Sequence, residues 1–200
     1  MTEPQRKRLA AIETSVGGIN SVLDRCRQAD HLAQGTMIAD KTEQDVVQLL
    51  RDFVKGLAET QIATQIMRIH ISAPVQLPAN VDKLLLGLMV NNLLDNALHY
   101  SADGSVIDAT LTLQTRGERA GFSVTVSNQA GEAGLPDATK LFEKYYRAPK
   151  AYQITGSGLG LHLVKNFAAM CGGDLTYEAV DNAACNTVCK TVCFTLWHPI

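Results

Sequence analysis

Two short segments carry residue types that can do chemistry. The first runs Asn91-Asn92-Leu93-Leu94-Asp95-Asn96-Ala97-Leu98-His99-Tyr100-Ser101 and sets Asn92 and Asn96 at i and i+4. On a helix that spacing sends both amides from one face, with Leu84, Leu88, Leu94 and Leu98 on the other sides. Paired amides can offer oxygen to a hard cation such as Mg2+, which keeps most of its waters and takes few protein ligands. The same pair also reads as polar surface or capping residues. The second segment, Gly156-Ser157-Gly158-Leu159-Gly160-Leu161, leads into a helix. Alternate glycines let backbone N–H groups approach an anion, and a helix start adds its positive dipole end. Two better-known phosphate loops are excluded, because there is no G-x4-G-K-[ST] and the glycines run GxGxG rather than GxGxxG.

The elements that must position these segments follow from hydrophobic period. Thr42, with Asp45 three residues on, is expected to cap a helix whose buried stripe is Val46, Leu49, Leu50, Phe53, Val54 and Leu57. Ile66 to Ser72 alternates as a strand, and Pro78 and Asn80 lead into a helix from Val81 to His99. Val106 to Leu113 alternates with Ile107, Ala109, Leu111 and Leu113 on one face, and Phe122, Val124 and Val126 repeat the rhythm across a hairpin turn at Arg116-Gly117-Glu118. A short helix is expected around Thr139 to Tyr145, then a loop from Ala148 to Gly156 and a helix through Val164 to Met170. Two last strands, Leu175 to Val180 and Val188 to Trp197, straddle a polar turn at Asp181-Asn182. The sum is an α+β sandwich, a sheet with helices segregated to one face.

The first thirty-odd residues differ. Leu9, Ile12, Val16, Ile19, Leu23 and Cys26 follow a heptad seam along a long N-terminal helix. That seam seeks either a partner helix or a place on its own domain. Gly17 and Gly18 cost such a helix about 1 kcal/mol each relative to alanine.

Composition narrows the function classes. In 200 residues, 46% hydrophobic and 19% charged side chains exclude a disordered chain. A formal net charge of −2 gives no basic field for nucleic acid. The longest apolar run, Leu84 to Val90, is too short to span a bilayer, and no apolar stretch follows the polar Met1–Arg8 as a secretory signal would require. Cys26, Cys171, Cys185, Cys189 and Cys193 form no C-x2-C pair and read as reduced thiols of a cytosolic chain rather than zinc ligands.

Taken in order, the asparagine segment, Leu141-Phe142-Glu143-Lys144-Tyr145-Tyr146-Arg147, the glycine segment and Cys171-Gly172-Gly173-Asp174-Leu175 resemble successive boxes of the sensor histidine kinases. The resemblance covers residues 40 to 200 and implies the Bergerat (GHKL) ATP-binding fold shared with DNA gyrase B and the heat-shock chaperone ATPases, a two-layer α/β sandwich with a mixed sheet of about five strands packed on helices and a mobile lid over ATP. By that resemblance the cofactors are ATP and Mg2+. Asn96 is the metal ligand and Asn92 orients phosphates or the metal's water. Tyr100 lies against adenine, a place that a core aromatic at a helix end would also explain. Arg147 addresses the γ-phosphate, while Gly156, Ser157, Gly158 and Gly160 form the phosphate cradle and lid hinge, anchored by Leu159 and Leu161. Phe142 packs in the lid's base.

The chain departs from the family pattern in three ways. Asn128 stands where the family has an adenine-binding aspartate, and Gly134 falls two residues late in the loop that follows. A neutral amide accepts the same hydrogen bond with about half the strength. His99 replaces a phosphate-contacting lysine. Asn92 stands where gyrase-like relatives carry a water-activating glutamate, which argues for transfer over hydrolysis, with Asp95 as the nearby carboxylate able to act as base.

None of His31, His70, His99, His162 and His198 has the context of a phosphoacceptor. The expectation is therefore a catalytic portion, residues 38–200, preceded at 1–37 by one helix of the dimerisation and phosphoacceptor hairpin. Its partners are ATP or ADP, the parent kinase's phosphoacceptor helix and a response regulator. The heptad helix allows a homodimer. The resemblance implies a cytoplasmic domain whether or not the parent chain is anchored in the inner membrane. Competing readings are a degenerate regulatory module of the same fold, an anti-sigma-type serine/threonine kinase, and, for residues 1–35 alone, a coiled-coil scaffold.

Overall fold

The structure, a computed structural model, describes residues 38–60, 68–153, 156–181 and 190–200, with isolated positions before residue 36. The heptad seam and the turn at Asn182 lie outside the described residues.

In chain order the elements are β1 (Thr42–Asp45), α1 (Val46–Thr60), β2 (Ile69–Ser72), β3 (Pro78–Val81), α2 (Lys83–Tyr100), β4 (Ile107–Leu113), β5 (Gly121–Gln129), a 3-10 turn (Pro149–Gln153), α3 (Gly160–Met170), β6 (Asp174–Asp181) and β7 (Lys190–Pro199). Five strands form one sheet in the order β2-β4-β5-β7-β6, and β1 pairs with β3 in a separate two-stranded ribbon. The β2–β4 pair is parallel and the other pairs are antiparallel, so the sheet is mixed. Phe122, Val124 and Val126 on β5 meet Leu113, Leu111 and Ala109 of β4 on one side and His198, Leu196 and Phe194 of β7 on the other. The helices cover one face of this sheet, and Leu85, Leu86, Met89, Val90, Leu93 and Leu94 of α2 fill the centre of the core. An α2 apolar around most of its girth suits a helix sandwiched between its neighbours and the sheet.

Several boundaries differ from the sequence expectation, each for a tertiary reason. Thr42 does not cap a helix. It opens β1, paired to Val81, and Asp45 does the capping, accepting from the main-chain nitrogens of Val47 at 3.0 Å and Leu77 at 3.1 Å. Pro78 to Val81 is strand rather than helix lead-in. Asp82 is the N-cap of α2, its Oδ1 accepting from Leu85 N at 3.0 Å and its Oδ2 from Asp40 N at 2.8 Å. Leu113 is 68% exposed although Ile107, Ala109 and Leu111 on the same face are buried. Residues 139–145 form turns, not a helix: the Asp137 carboxylate binds Thr139, the Tyr146 hydroxyl takes the Asp137 N–H at 2.9 Å, and Tyr145 sits at φ 63°. The expected loop from Ala148 contains the 3-10 turn.

The last strand brings His198 into the core, stacked on Phe122 with ring centroids 5.2 Å apart. Burial pushes the His198 imidazole below its ordinary pKa of 6.5, with Lys41 adding to the shift and the Pro199 carbonyl opposing it. The folded state therefore keeps the ring neutral while the unfolded chain binds a proton as pH falls through 6.5, so stability is lost on acidification. Urea midpoints followed by the fluorescence of Trp197, the chain's single tryptophan, are expected to fall between about pH 7 and pH 5.5, and the slope to flatten in His198→Phe. A slope unchanged by the substitution would assign the acid sensitivity elsewhere.

Candidate functional site

The C-terminal half of α2, the β5–β7 pair, the 131–151 segment and the start of α3 enclose an open cleft of about 1040 Å³, mouth included. Asp95, Asn96, His99 and Tyr100 line it from α2. Asn128 and Ala130 line it from the end of β5, Val192 and Phe194 from β7, and Gly134, Tyr146 and Arg147 from the intervening segment. Gly156, Ser157, Gly158, Gly160 and Leu161 complete the wall. The asparagine helix and the glycine segment, sixty residues apart in sequence, thus face one space.

Asn92 is not among the lining residues. One helical turn, about 5.4 Å, separates it from Asn96. It is buried, and its Nδ2 donates to Leu88 O at 2.7 Å. Asn96 differs: its Nδ2 is buried and has no hydrogen-bond partner among the described residues. Amide orientation is an assignment that a rotation about χ2 reverses, so this position can present oxygen as readily as nitrogen. His99 is exposed and its Nδ1 meets Asp95 O at 2.7 Å, leaving Nε2 as its outward atom.

Asn128 is buried, and its Nδ2 donates to Gln129 O at 3.0 Å. That bond fixes the amide's sense and makes the oxygen the acceptor it offers. Arg147 Nη2 donates to Ala151 O, which ties the arginine to the 3-10 turn. In the glycine segment, Ser157 Oγ accepts from Leu159 N at 3.3 Å, and no side chain caps the first turn of α3. Leu159 is buried in the core and Leu161 packs against it, so the two leucines pin the segment to the domain. Gly158 sits at φ +70°, and a Cβ there would lie 2.7 Å from the Tyr145 carbonyl carbon. Phe142 packs on the core edge, its carbonyl accepting from His162 Nδ1 at 3.0 Å.

Sequence reasoning missed Tyr145, whose left-handed backbone meets Gly158, and Arg68, whose contacts are all long-range. No local signal marks either. Among the described residues Cys171 and Cys193 are free, with both thiols pushed up by burial and hence poor nucleophiles. Among the described residues no helix is long and apolar enough to cross a membrane.

The family described as histidine kinase-, DNA gyrase B-, and HSP90-like ATPase matches residues 81–199, from the end of β3 to the last strand. The sensor protein QseC of Salmonella typhi is 30% identical over 167 residues, 83% of this chain and 35% of that protein. The chain therefore spans about a third of the length of the curated relatives it matches. Acinetobacter baumannii histidine kinase AdeS superposes with a TM-score of 0.69 at 14% identity, covering 100% of this chain and 85% of that one. Full-length ShkA in complex with AMPPNP superposes at 0.66 and 18%, covering 100% and 40%. These likenesses show the fold, a Bergerat-type α/β sandwich. A family match that takes in the asparagine helix, Asn128 and the glycine segment together means that the chain belongs to the histidine kinase-, DNA gyrase B-, and HSP90-like ATPases.

Proposed function

We propose that this chain is the ATP-binding catalytic unit of a two-component sensor histidine kinase. It transfers the γ-phosphoryl of ATP to a histidine nitrogen on a phosphoacceptor helix, from which a response regulator is served. Residues 38–200 are the catalytic unit, and residues 1–37, which lie almost wholly outside the described residues, belong to the dimerisation and phosphoacceptor region. The observation that carries the reading is the convergence of Asn96, Tyr100, Asn128 and the glycine segment on one cleft. The AMPPNP bound by ShkA, a chain of the same fold, supports a nucleotide as its occupant.

The residues fit Mg2+ and a triphosphate. The Nδ2 of the Asn96 amide is buried with no partner among the described residues, a costly arrangement unless a ligand completes it. Asn92, one turn behind, buttresses the helix through Leu88. When bound, Mg2+ neutralises charge on the phosphate oxygens and orients them. The Gly156–Gly160 backbone and the uncapped first turn of α3 supply N–H donors to the phosphates. Arg147, a planar fork held at the 3-10 turn, stabilises charge on the transferred group, whereas His99, its Nδ1–H spent on Asp95 O, turns an acceptor nitrogen outward and serves the phosphates as a donor only when doubly protonated. Tyr100 gives a flat face for adenine and Asn128 accepts from its amino group. Asp95 is the lining carboxylate able to take the proton of the attacking imidazole.

Calorimetric titration tests this. Mg·ADP is expected to release heat and raise the melting temperature, whereas Mg·GDP, whose O6 would face the Asn128 oxygen, binds at least about tenfold more weakly. Absence of heat and of a thermal shift with either nucleotide would replace the enzyme by a regulatory module that keeps the fold alone.

A further inference from the structure

Resting on the nucleotide reading, we infer that Arg68 is a positioning residue for the base end of the cleft. Arg68 stands just before β2, half-buried, and does not line the cleft. Its guanidinium reaches across to the segment that follows α2. Nε donates to Ser105 O at 2.6 Å, and Nη2 donates to Ser101 Oγ at 2.6 Å and Ala102 O at 3.0 Å. The main chain answers, with Ile107 N donating to Arg68 O at 2.8 Å. A cation set among acceptors just past a helix's last turn meets the negative end of that helix's dipole. The planar fork serves separate acceptors at once, which a lysine ammonium does not reproduce.

What the fork holds is a wall of the cleft. Tyr100 O accepts from Gly131 N at 2.9 Å, Ala102 N donates to Gln129 O at 2.9 Å, and Ser101 bridges to Ala130. Gly131 is there because nothing larger fits: a Cβ would stand 2.7 Å from Ser101 O. Asn128 faces the cleft from within the sheet, paired to Ile107 and Val192, and the 100–105 segment, laid along residues 129–131, is a separate body that carries Tyr100 into the same cleft. Arg68 fastens it to the start of β2. Loosening that tie turns Tyr100 relative to Asn128 and spoils the slot for a flat base. Asn96 and the glycine segment, which face the phosphates, lie outside the fastened body.

Arg68→Ala is expected to weaken Mg·ADP binding about tenfold and Arg68→Lys about threefold, with melting curves confirming that each variant is folded. A general loosening would not reproduce the coupling: in a Tyr100→Ala background, Arg68→Ala adds less than about twofold. Inorganic tripolyphosphate, competed against a fluorescent ATP analogue, binds wild type and Arg68→Ala alike. Unchanged Mg·ADP affinity in Arg68→Ala, or equal losses in both backgrounds, overturns the assignment and leaves the nucleotide reading standing. A wild type that binds no Mg·ADP removes both. If Arg68→Ala does not fold, Arg68→Lys and Ser101→Ala run the same cycle, with losses of about threefold that vanish without the Tyr100 ring.

Discussion

Replacing Gly158 by alanine is expected to weaken Mg·ADP binding by about a hundredfold while leaving most of the fold's stability in place. The loss has two parts. At φ +70° an alanine in the left-handed region costs about 1–2 kcal/mol. Its Cβ would also stand 2.7 Å from the Tyr145 carbonyl carbon and 2.9 Å from Tyr145 Cα and O, so one backbone must retreat. Those backbones are joined, since Tyr145 N donates to Gly158 O at 3.0 Å and Tyr145 is itself left-handed at φ 63°. Retreat therefore unseats the glycine segment from the strand of chain that carries Arg147, and both sides of the phosphate end move apart. The other glycines serve as controls. Gly156→Ala meets nothing closer than the Tyr100 hydroxyl at 3.8 Å, so it leaves the fold intact and is expected to cost about tenfold or less, through the phosphate cradle alone. Gly134→Ala shares the left-handed strain at φ +69° but has open space around it, so its cost is about 1 kcal/mol, confined to the turn. Calorimetry on the three variants checks the order. Equal affinities for Gly156→Ala and Gly158→Ala would mean that the Tyr145 contact does not matter to nucleotide binding.

Much of this architecture is legible in the sequence because it rests on period. The alternation of Phe122, Val124 and Val126 fixes the central strand, and the helical spacing of Asn92 and Asn96 puts their amides near one side of α2. Where tertiary partners decide, the sequence is silent or misleading. Thr42 and Asp45 look like a capping pair until β3 offers Thr42 a ladder, after which Asp45 alone caps. Alternation marks Leu113 as inward but cannot say where the cover of that face stops. The same limit separates the two asparagines: spacing places them on one side but not at one depth, and the cleft reaches only Asn96. Tyr145 and Arg68 escape notice because their roles are contacts with residues 13 and more than 30 positions away.

That difference in depth gives the two asparagines opposite signatures. Asn96→Ala is expected to weaken Mg·ADP binding about a hundredfold, to remove its dependence on Mg2+, and to leave the melting temperature of the free protein unchanged or higher. The reason is the buried Nδ2 that has no partner among the described residues. An amide left unsatisfied costs the free protein about 1–3 kcal/mol, a penalty that alanine relieves. The magnesium contact it would complete is lost with it. Asn92→Ala works the other way. Its amide is already paired to Leu88 O at 2.7 Å and buried, so truncation removes that bond, the carbonyl keeping only its helical partner, and leaves a void beside α2. The expected cost is about 1–3 kcal/mol of stability, with a smaller loss of affinity. Titrations with and without EDTA, paired with melting curves, separate the two cases. In the wild type EDTA should lower affinity to the level of Asn96→Ala, and in Asn96→Ala it should change nothing. If Asn96→Ala melts as early as Asn92→Ala and still binds Mg·ADP normally, the unpaired amide belongs to the scaffold, and the metal must be sought on another wall of the cleft.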